Sequence, residues 1–513
     1  MPPSSASWIP SRSNSAALES LADCPPHSAR TMRDRPIIVW FRRDLRVGDH
    51  AALWHAAKAE APIVPVFIAD HRLIADLPSD GSLFDFQAAC LQELDATLRH
   101  YGNALIIRYG IPEIVMDHLI RELQPRAIYY NRDYEPYARE RDARIEALAR
   151  RYGIEVLSFK DHVLVEPWEI ATLEGAPYTR YTPFYRAWQK LPKPRPYGKP
   201  KRLLPGPEMP SEPIPTAERL GKPVTLQRWA VTPGETSART AWDQYLRTGL
   251  PRYRETRDFP ALPDGSSRMS PHLRFGTISI RRLYADATDL LEASELSASE
   301  RTSVERFIAE LAWREFFQHI LWHFPHVAER SFRDAMERFP WENREDYFRA
   351  WCEGRTGYPF VDAAMRQLNA TGYMPNRARM VAASFLVKDL RIDWRWGERY
   401  FRSKLLDGEI AANAGNWQWV ASTGVDARPL RIFNPVVQSR RYDPDGRYIR
   451  QWVPELGSLP AEYLHEPWRM SPLEQESYGV RLGVDYPLPI VEHAERKRQF
   501  ESAYARLRSG ERE

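Results

Sequence analysis

The runs IIVWF (Ile37–Phe41) and IVPVFI (Ile63–Ile68) are the first of five short apolar segments in the early part of the chain. The other three are LIIR at 105–108, AIYY at 127–130 and EVLSF at 155–159. The residues between the segments have a helical period, as in 86–100, where leucines 91, 94 and 98 recur at spacings of three and four. Strands alternating with helices predict an α/β domain, doubly wound around a parallel sheet.

The remainder of the chain has a different pattern. Strand signals stop after about residue 236, and amphipathic helices dominate. Thr302–Glu305 (TSVE) predicts a capping box that opens a helix closed by Pro325, and Met365–Leu368 falls within another helix. Dense prolines in 190–235 indicate an extended connector. We therefore predict a disordered extension over 1–33, an α/β domain over 34–165, a linker over 166–235, a helical domain over 236–500 and a tail over 501–513.

Composition excludes several classes of protein. The 513 residues suit two domains, and charged residues make up 27% of them. No apolar run reaches the eighteen or so residues that a membrane span needs, and residues 1–33 lack the apolar core of a secretory signal. We therefore expect a cytoplasmic protein, associated with the nucleoid if it is bacterial. Three scattered cysteines without a C-x-x-C spacing argue against a disulfide framework, a zinc site or an iron–sulfur cluster.

Common catalytic motifs are absent from the sequence. No G-x-G-x-x-G follows the first strand, and there is no G-x-S-x-G, H-E-x-x-H or P-loop. A Gly/Ser turn that leads into a helix, GSSRMSPHLRFG at 265–276, could present hydroxyl and N–H groups to a phosphate. Between 426 and 452, six arginines accompany three aspartates, which indicates either a solvated face or a phosphate-binding one.

Two tryptophans lie two residues apart in NAGNWQWVASTG, at 413–424. On a helix, residues at this spacing point about 200° apart, so Trp417 and Trp419 must serve different surfaces. Further upstream, Glu310 precedes Trp313 by three residues and Arg314 by four, so these three side chains share one side of a helix.

Seven motifs, taken in order, resemble the photolyase/cryptochrome family over residues 36–500. They are VWFRRDLRVGDHAAL (39–53), GSSRMSPHLRFG (265–276), ELAWREF (310–316), TGYPFVDAAMRQLNATGYM (356–374), MPNRARM (374–380), DWRWGERYF (393–401) and LDGEIAANAGNWQW (406–419). Within the family, the chain is most similar to the class I cyclobutane pyrimidine dimer (deoxyribodipyrimidine) photolyases of the deazaflavin-antenna subgroup. The resemblance implies an α/β doubly wound N-terminal domain and an all-α C-terminal domain that binds FAD.

The resemblance also implies the FAD contacts. They map to Tyr253, Ser266, Ser267, Arg268, Met269, Ser270, Arg314, Arg379, Asp407, Glu409 and Asn413. Ser266 replaces the usual threonine, and Glu409 is one methylene longer than the usual aspartate. Asn413 falls at the position facing flavin N5, where an amide favours a repair enzyme over a plant or animal cryptochrome.

The family's dimer pocket and DNA contacts map to a second set: Glu310, Trp313, Asn376, Arg377, Met380, Trp419, Arg428, Arg431, Arg440 and Arg441. Glu310 matches the carboxyl group that hydrogen-bonds the dimer, and Trp313 matches the ring that stacks on it. Tyr373 and Pro375 replace the tryptophan and histidine common in class I enzymes. Pro375 and Asn376 also stand where (6-4) photolyases use histidines, which tells against (6-4) repair.

Two further elements follow from the resemblance. Trp417, Trp394 and Trp341 form a series that carries electrons between the flavin and the surface. An antenna chromophore would contact Asp70, Asp133 and Arg141, although Leu83 replaces an arginine of that site. 8-Hydroxy-5-deazaflavin is favoured over methenyltetrahydrofolate, while another flavin or no antenna stays open.

The sequence thus predicts a monomeric lyase that repairs cyclobutane pyrimidine dimers in damaged DNA by electron transfer from excited reduced FAD to a flipped-out dimer. No membrane or protein partner is implied. The alternative is a blue-light cryptochrome photoreceptor without repair activity. Such receptors often carry a long C-terminal extension, whereas this sequence ends at Glu513.

Overall fold

A computed structural model describes residues 34–76, 80–293, 295–426 and 430–509, so the predicted extension over 1–33 lies outside the described residues. The N-terminal part contains one parallel sheet with strand order β3-β2-β1-β4-β5. The strands are β1 (Ile37–Phe41), β2 (Ile63–Asp70), β3 (Ile106–Gly110), β4 (Ala127–Asn131) and β5 (Glu155–Phe159). This order, with its reversal at β1, confirms the doubly wound α/β prediction.

Helices cover both faces of the sheet. They are α1 (Ala51–Lys58), α2 (His71–Asp76), α3 (Ser82–His100), α4 (Pro112–Leu123) and α5 (Pro136–Arg151). On β1, Ile37 and Phe41 join the core that contains α1 and α3, whereas Ile38 and Trp40 join the core that contains α4 and α5. Because both faces are buried, the central strands are continuously apolar rather than alternating.

The predicted linker, 166–235, is partly helical. Helix α6 (Tyr181–Lys190) lies within it, and Phe184 and Trp188 are buried in the core of the helical domain. The indole Nε1 of Trp188 donates to Glu315 Oε2 at 2.7 Å. This segment therefore contributes to the second domain and is more than a connector.

The C-terminal part is helical. Its helices are α7 (Glu235–Thr248), α8 (Tyr253–Thr256), α9 (Ser270–Phe275), α10 (Ile280–Ala293), α11 (Ala298–His323), α12 (Glu345–Glu353), α13 (Pro359–Thr371), α14 (Asn376–Ser384), α15 (Trp394–Lys404), α16 (Ile410–Ala421), α17 (Pro435–Tyr442), α18 (Arg447–Trp452), α19 (Ala461–Leu464), α20 (Pro472–Tyr478) and α21 (His493–Ser509). A π-helical turn, Phe385–Asp389, follows α14. None of the described helices is long and apolar enough to cross a membrane.

Two predicted helix limits were wrong. Helix α11 begins at Ala298 and is capped by Ser297 with Glu300, so Thr302 lies inside the helix and donates its hydroxyl to the Ala298 carbonyl at 2.7 Å. The sequence 297–300 (SASE) also fits a capping box, and the earlier of the two boxes starts the helix. The predicted tail begins inside α21, because Phe500 and Tyr504 pack against Met336.

Candidate flavin and DNA-lesion site

One large cavity, of about 800 Å³, lies among α11, α14 and α16. Many of the predicted site residues line it: Ser270, Glu310, Trp313, Arg314, Asn376, Arg377, Arg379, Met380, Asp407, Glu409, Asn413, Trp417, Trp419 and Arg431. Residues matching the family's flavin contacts and residues matching its lesion pocket therefore share a single space.

At the flavin end, Asp407 is the central acceptor. Its Oδ2 accepts from Ser270 Oγ at 2.5 Å and from Arg379 Nη2 at 2.8 Å. Its Oδ1 is buried and has no partner among the described residues. A buried carboxylate oxygen without a donor is costly, so a ligand N–H or O–H group would be stabilised there. The residues present therefore fit a flavin, whose polar ring edge carries such groups.

The side chain of Asn413 is oriented by a second buried carboxylate. Its Nδ2 donates to Glu398 Oε1 at 2.9 Å and to the Glu398 carbonyl at 3.0 Å. Burial raises the pKa of Glu398 above its ordinary value, despite the opposing effects of Arg402 and Asn413. Nothing in the sequence motif pointed to Glu398, because it lies on α15 rather than on the Asn413 helix.

Glu409 connects the two domains. Its carboxylate contacts Arg43 at 2.7 Å and Arg314 at 2.8 Å. Burial alone would raise the pKa of Glu409, but the two arginines outweigh burial and lower it. The extra methylene relative to aspartate is thus used in an interdomain ion pair, and a flavin contact by Glu409 stays a prediction.

The phosphate-binding turn stands partly apart from the large cavity. Ser266, Ser267, Arg268 and Met269 line a neighbouring cavity of about 470 Å³, together with the buried Tyr245. Tyr253 is buried beneath the Arg257 guanidinium, which lies 5.1 Å from the ring centroid. Of the predicted turn residues, only Ser270 lines the large cavity.

At the lesion end, two indoles form a corner. The Trp313 and Trp419 ring centroids are 5.2 Å apart with an interplanar angle of 90°, and Trp313 is backed by the stacked ring of Tyr181. Glu310 is held by Arg257 at 2.5 Å and by Arg306 at 3.1 Å. The corner and the carboxylate together offer an apolar wall beside a charged acceptor.

Comparisons with known proteins agree with this geometry. Residues 37–202 match the family described as DNA photolyase, and residues 307–506 match the FAD binding domain of DNA photolyase. A deoxyribodipyrimidine photo-lyase of Synechococcus is 40% identical over 92% of this chain and 97% of its own length. The chain belongs to the photolyase/cryptochrome family.

Two solved structures of this family are similar along nearly the whole chain. A class III photolyase from Agrobacterium tumefaciens has a TM-score of 0.86 at 38% identity, covering 94% of this chain and 99% of that one. A Synechocystis cryptochrome has a TM-score of 0.84 at 32% identity, covering 92% and 99%. Neither supports the predicted class I, deazaflavin-antenna subgroup.

The predicted DNA-binding arginines are in different environments. Arg377 is paired with Asp258 at 3.1 Å and lies over the Tyr442 ring, and Arg431 is exposed at the cavity. Arg440 is paired with Glu466, whereas Arg441 is exposed beside the Tyr442 ring. Arg428 lies outside the described residues. In the lesion pocket, Asn376 Nδ2 lies 3.6 Å from the Met380 sulfur.

The tryptophans of this photolyase-family chain differ in burial. Trp417 and Trp394 are buried, and Trp341 is half-buried with its ring centroid 4.4 Å from that of Phe339. Trp417 also packs against a tryptophan that the sequence had not singled out, since its ring centroid is 6.1 Å from Trp351. The electron-conducting role of the predicted series stays a prediction.

The predicted antenna residues meet in a second cavity of about 220 Å³ in the N-terminal domain. Asp70, Asp133 and Arg141 all line it, as does Leu83. Asp70 accepts a hydrogen bond from Tyr137, one of the residues that replaces the folate-type pair. Whether a chromophore binds there is a matter for proposal.

Several lining residues escaped sequence reasoning. Arg254, Arg257, Asp258 and Arg306 line the large cavity at its lesion end. Arg306 could have been found, because it precedes Glu310 by one helical turn. The other three follow Tyr253 in a charged segment, YRETRD, whose position over the cavity depends on tertiary packing.

Proposed function

We propose that this chain is a deoxyribodipyrimidine photo-lyase that reverses cyclobutane pyrimidine dimers in DNA with light. One observation carries the proposal: a single cavity joins Asp407 and Asn413, on the flavin side, to Glu310, Trp313 and Trp419, on the lesion side. When bound, reduced FAD would supply the light absorption and the electron that opens the cyclobutane ring. The protein supplies binding, orientation and charge.

Glu310 reads the lesion by accepting hydrogen bonds from the N–H groups of the dimerised bases. Arg257 and Arg306 fix its carboxylate through ion pairs, so the acceptor is in place before the lesion arrives. Asn376 adds an amide at the same end of the cavity. Specificity follows because an undamaged pyrimidine, still stacked in the duplex, cannot bring its edge to Glu310.

The indole corner accommodates the flipped-out dinucleotide. Trp313 and Trp419 meet at 90°, which gives one ring for stacking and one for lateral contact. Met380 completes the apolar wall. A dimer is already poorly stacked in DNA, so extruding it costs less than extruding normal bases.

Phosphates on either side of the lesion are neutralised by arginines around the cavity mouth. Arg377 and Arg431 line that mouth, and Arg441 extends the basic surface. Such contacts give affinity that is independent of sequence and falls with salt. Arg440 and Arg428 are assigned to the same surface by the resemblance.

The test uses FAD-loaded, chemically reduced protein and an oligonucleotide with one thymine dimer, under near-ultraviolet to blue light and in the dark. We expect light-dependent return of intact thymines, and a much slower return with Glu310→Gln. Undamaged oligonucleotide serves as the binding control. If no thymine returns under light, the repair proposal is wrong.

A cryptochrome function is the second candidate, because a solved cryptochrome superposes on this chain with a TM-score of 0.84. A photoreceptor would show light-driven flavin reduction without repair in the same assay. Asn413 and the complete lesion pocket favour repair.

An antenna chromophore is proposed for the cavity that Asp70, Asp133 and Arg141 line. An 8-hydroxy-5-deazaflavin, and with it the class I subgroup, stays the prediction from the sequence, although the similar Agrobacterium structure is named class III. The absorption spectrum of freshly purified protein distinguishes a deazaflavin, a folate and an empty site.

The remaining proposals concern electron supply, assembly and location. Trp417, Trp394 and Trp341 are proposed to reduce the flavin in series under light. The protein is proposed to act as a monomer at the bacterial nucleoid in the cytoplasm. Sedimentation of the free and DNA-bound protein tests the monomer.

A further inference from the structure

Tyr373 occupies a position where the class I enzymes that the sequence resembles commonly carry tryptophan. It follows α13 immediately after Gly372 and is 6% exposed. Its hydroxyl oxygen lies 3.2 Å from Ser266 Oγ, within hydrogen-bond distance. Tyr373 therefore contacts the first hydroxyl of the phosphate-binding turn, and a tryptophan has no hydroxyl for that contact.

The turn is fastened at both of its ends. At one end Ser270 Oγ donates to Asp407 at 2.5 Å, and at the other Ser266 is joined to Tyr373. Between the two ends, Arg268 adopts a left-handed backbone conformation with φ 52°. This conformation is unfavourable for a residue with a side chain, so it persists only where the surroundings hold it.

The two fastenings belong to one network. Guanidinium groups lie near the Tyr373 ring, Arg268 at 5.8 Å and Arg379 at 5.5 Å from its centroid. Arg379 also donates to Asp407 at 2.8 Å and to the Met374 carbonyl at 2.6 Å. Tyr373 is thus tied through Arg379 to the same carboxylate that holds Ser270.

We propose that Tyr373 is a cofactor-positioning residue, whose hydroxyl fixes the Ser266 side chain and presets the 266–270 turn for the phosphates of FAD. The inference rests on the proposed function only in taking FAD as the cofactor. Ser266 lacks the methyl group of the threonine usual at that position, so its hydroxyl rotates more freely. A hydrogen bond from Tyr373 removes that freedom before binding, and preorganisation of this kind raises affinity.

The test is a double-mutant cycle read out by FAD binding to apo-protein. Tyr373→Phe and Ser266→Ala should each weaken FAD binding by about threefold to tenfold, the range expected for one hydrogen bond. Because both variants break the same contact, the double variant should bind no more weakly than the more affected single one. Ser266→Thr keeps the hydroxyl and should retain wild-type affinity.

Two controls separate positioning from stability. The thermal midpoint of each apo-protein is measured beside its affinity, and we expect the non-additivity in the affinity alone. Tyr130→Phe removes another buried tyrosine hydroxyl, which bonds Glu146 at 2.8 Å in the other domain, and should leave FAD affinity unchanged.

Each outcome is decisive. Additive losses, unchanged affinity in Tyr373→Phe, or non-additivity in the apo-protein midpoint would overturn the positioning role. If the wild-type protein itself binds no FAD, the proposed function fails instead. Wild-type affinity with coupled losses supports the inference.

Discussion

Trp417 and Trp419, two residues apart on α16, contact different neighbours. The Trp417 ring is packed against Phe401, at a centroid distance of 4.9 Å, and over Gly397, where a Cβ atom would lie only 2.2 Å from the indole. Trp419 instead meets Trp313 at the lesion end of the cavity. A single residue type therefore has two uses within one turn of helix.

Trp417→Phe should slow light-driven reduction of the flavin by at least tenfold, because phenylalanine is a far poorer electron donor than indole. Repair by enzyme that has been reduced chemically beforehand should be nearly unchanged, since the lesion pocket is intact. Flavin absorbance under illumination measures the first effect, and thymine recovery measures the second. Equal losses in both assays would contradict the assignment of Trp417 to electron supply.

Trp419→Ala should have the opposite pattern. Removing the ring opens one wall of the indole corner, so binding of a dimer-containing oligonucleotide should weaken by about tenfold, the scale of one base–aromatic stack. Photoreduction should continue at the wild-type rate. Fluorescence anisotropy with damaged and undamaged oligonucleotides measures the loss, and a variant that binds both DNAs as wild type does would disprove the pocket role.

Sequence reasoning at this scale reached as far as helical geometry allows. A rotation of 100° per residue was enough to predict that the two tryptophans face different neighbours. It could not show that Glu310 is paired with Arg257, or that Ser266 contacts Tyr373. Those partners are distant in the chain, and only tertiary packing brings them together.

At the scale of elements, α17 presents two adjacent arginines in different states. Arg440 is paired with Glu466, whereas Arg441 is exposed without such a carboxylate partner among the described ion pairs. Exposed arginines beside a cavity for DNA are suited to phosphate contacts. The two residues therefore form a natural pair for comparison.

Arg441→Ala should weaken binding to damaged and undamaged DNA by the same factor, because phosphate contacts carry no information about the base. The slope of log affinity against log salt should fall in magnitude by about 1. Arg440→Ala should have a smaller effect, since Glu466 already offsets its charge. Anisotropy titrations at several salt concentrations decide the matter, and a loss confined to damaged DNA would refute the phosphate role.

Elements were predicted unequally well. The five strands were found because buried parallel strands are unbroken apolar runs, and all five lie within two residues of the predicted limits. The start of α11 was misplaced, because two capping boxes stand five residues apart and local sequence does not rank them. The helical nature of α6 was missed, because its apolar residues lie among prolines that indicated a connector.

At the scale of the molecule, buried charges join the two domains. Asp161, which follows β5, accepts from Arg46 Nη2 at 2.6 Å and from Arg281 Nη2, on α10, also at 2.6 Å. All three side chains are buried. The sequence could not indicate this junction, since any of many arginines could have been the partner of any carboxylate.

Asp161→Asn should destabilise the protein at pH 7 by about 3–5 kcal/mol, because it leaves Arg46 and Arg281 buried without their shared counter-charge. Burial by itself would raise the pKa of Asp161, but the two arginines outweigh it and lower the pKa below the ordinary value of 3.8. A carboxyl group with a lowered folded-state pKa contributes stability above its unfolded pKa and loses that contribution as the pH falls further. The wild-type advantage over Asp161→Asn should therefore be complete at pH 6–7 and shrink below about pH 4.

Urea unfolding of both proteins across pH 3–7 measures this difference. Asp445→Asn is the matched control, because its ion pair with Arg447 is exposed and should contribute almost nothing at any pH. An Asp161→Asn protein as stable as wild type at pH 7 would show that the junction does not hold the domains together. A difference that stayed constant down to pH 3 would show that the carboxylate charge is not the cause, and that only the shape of the side chain matters.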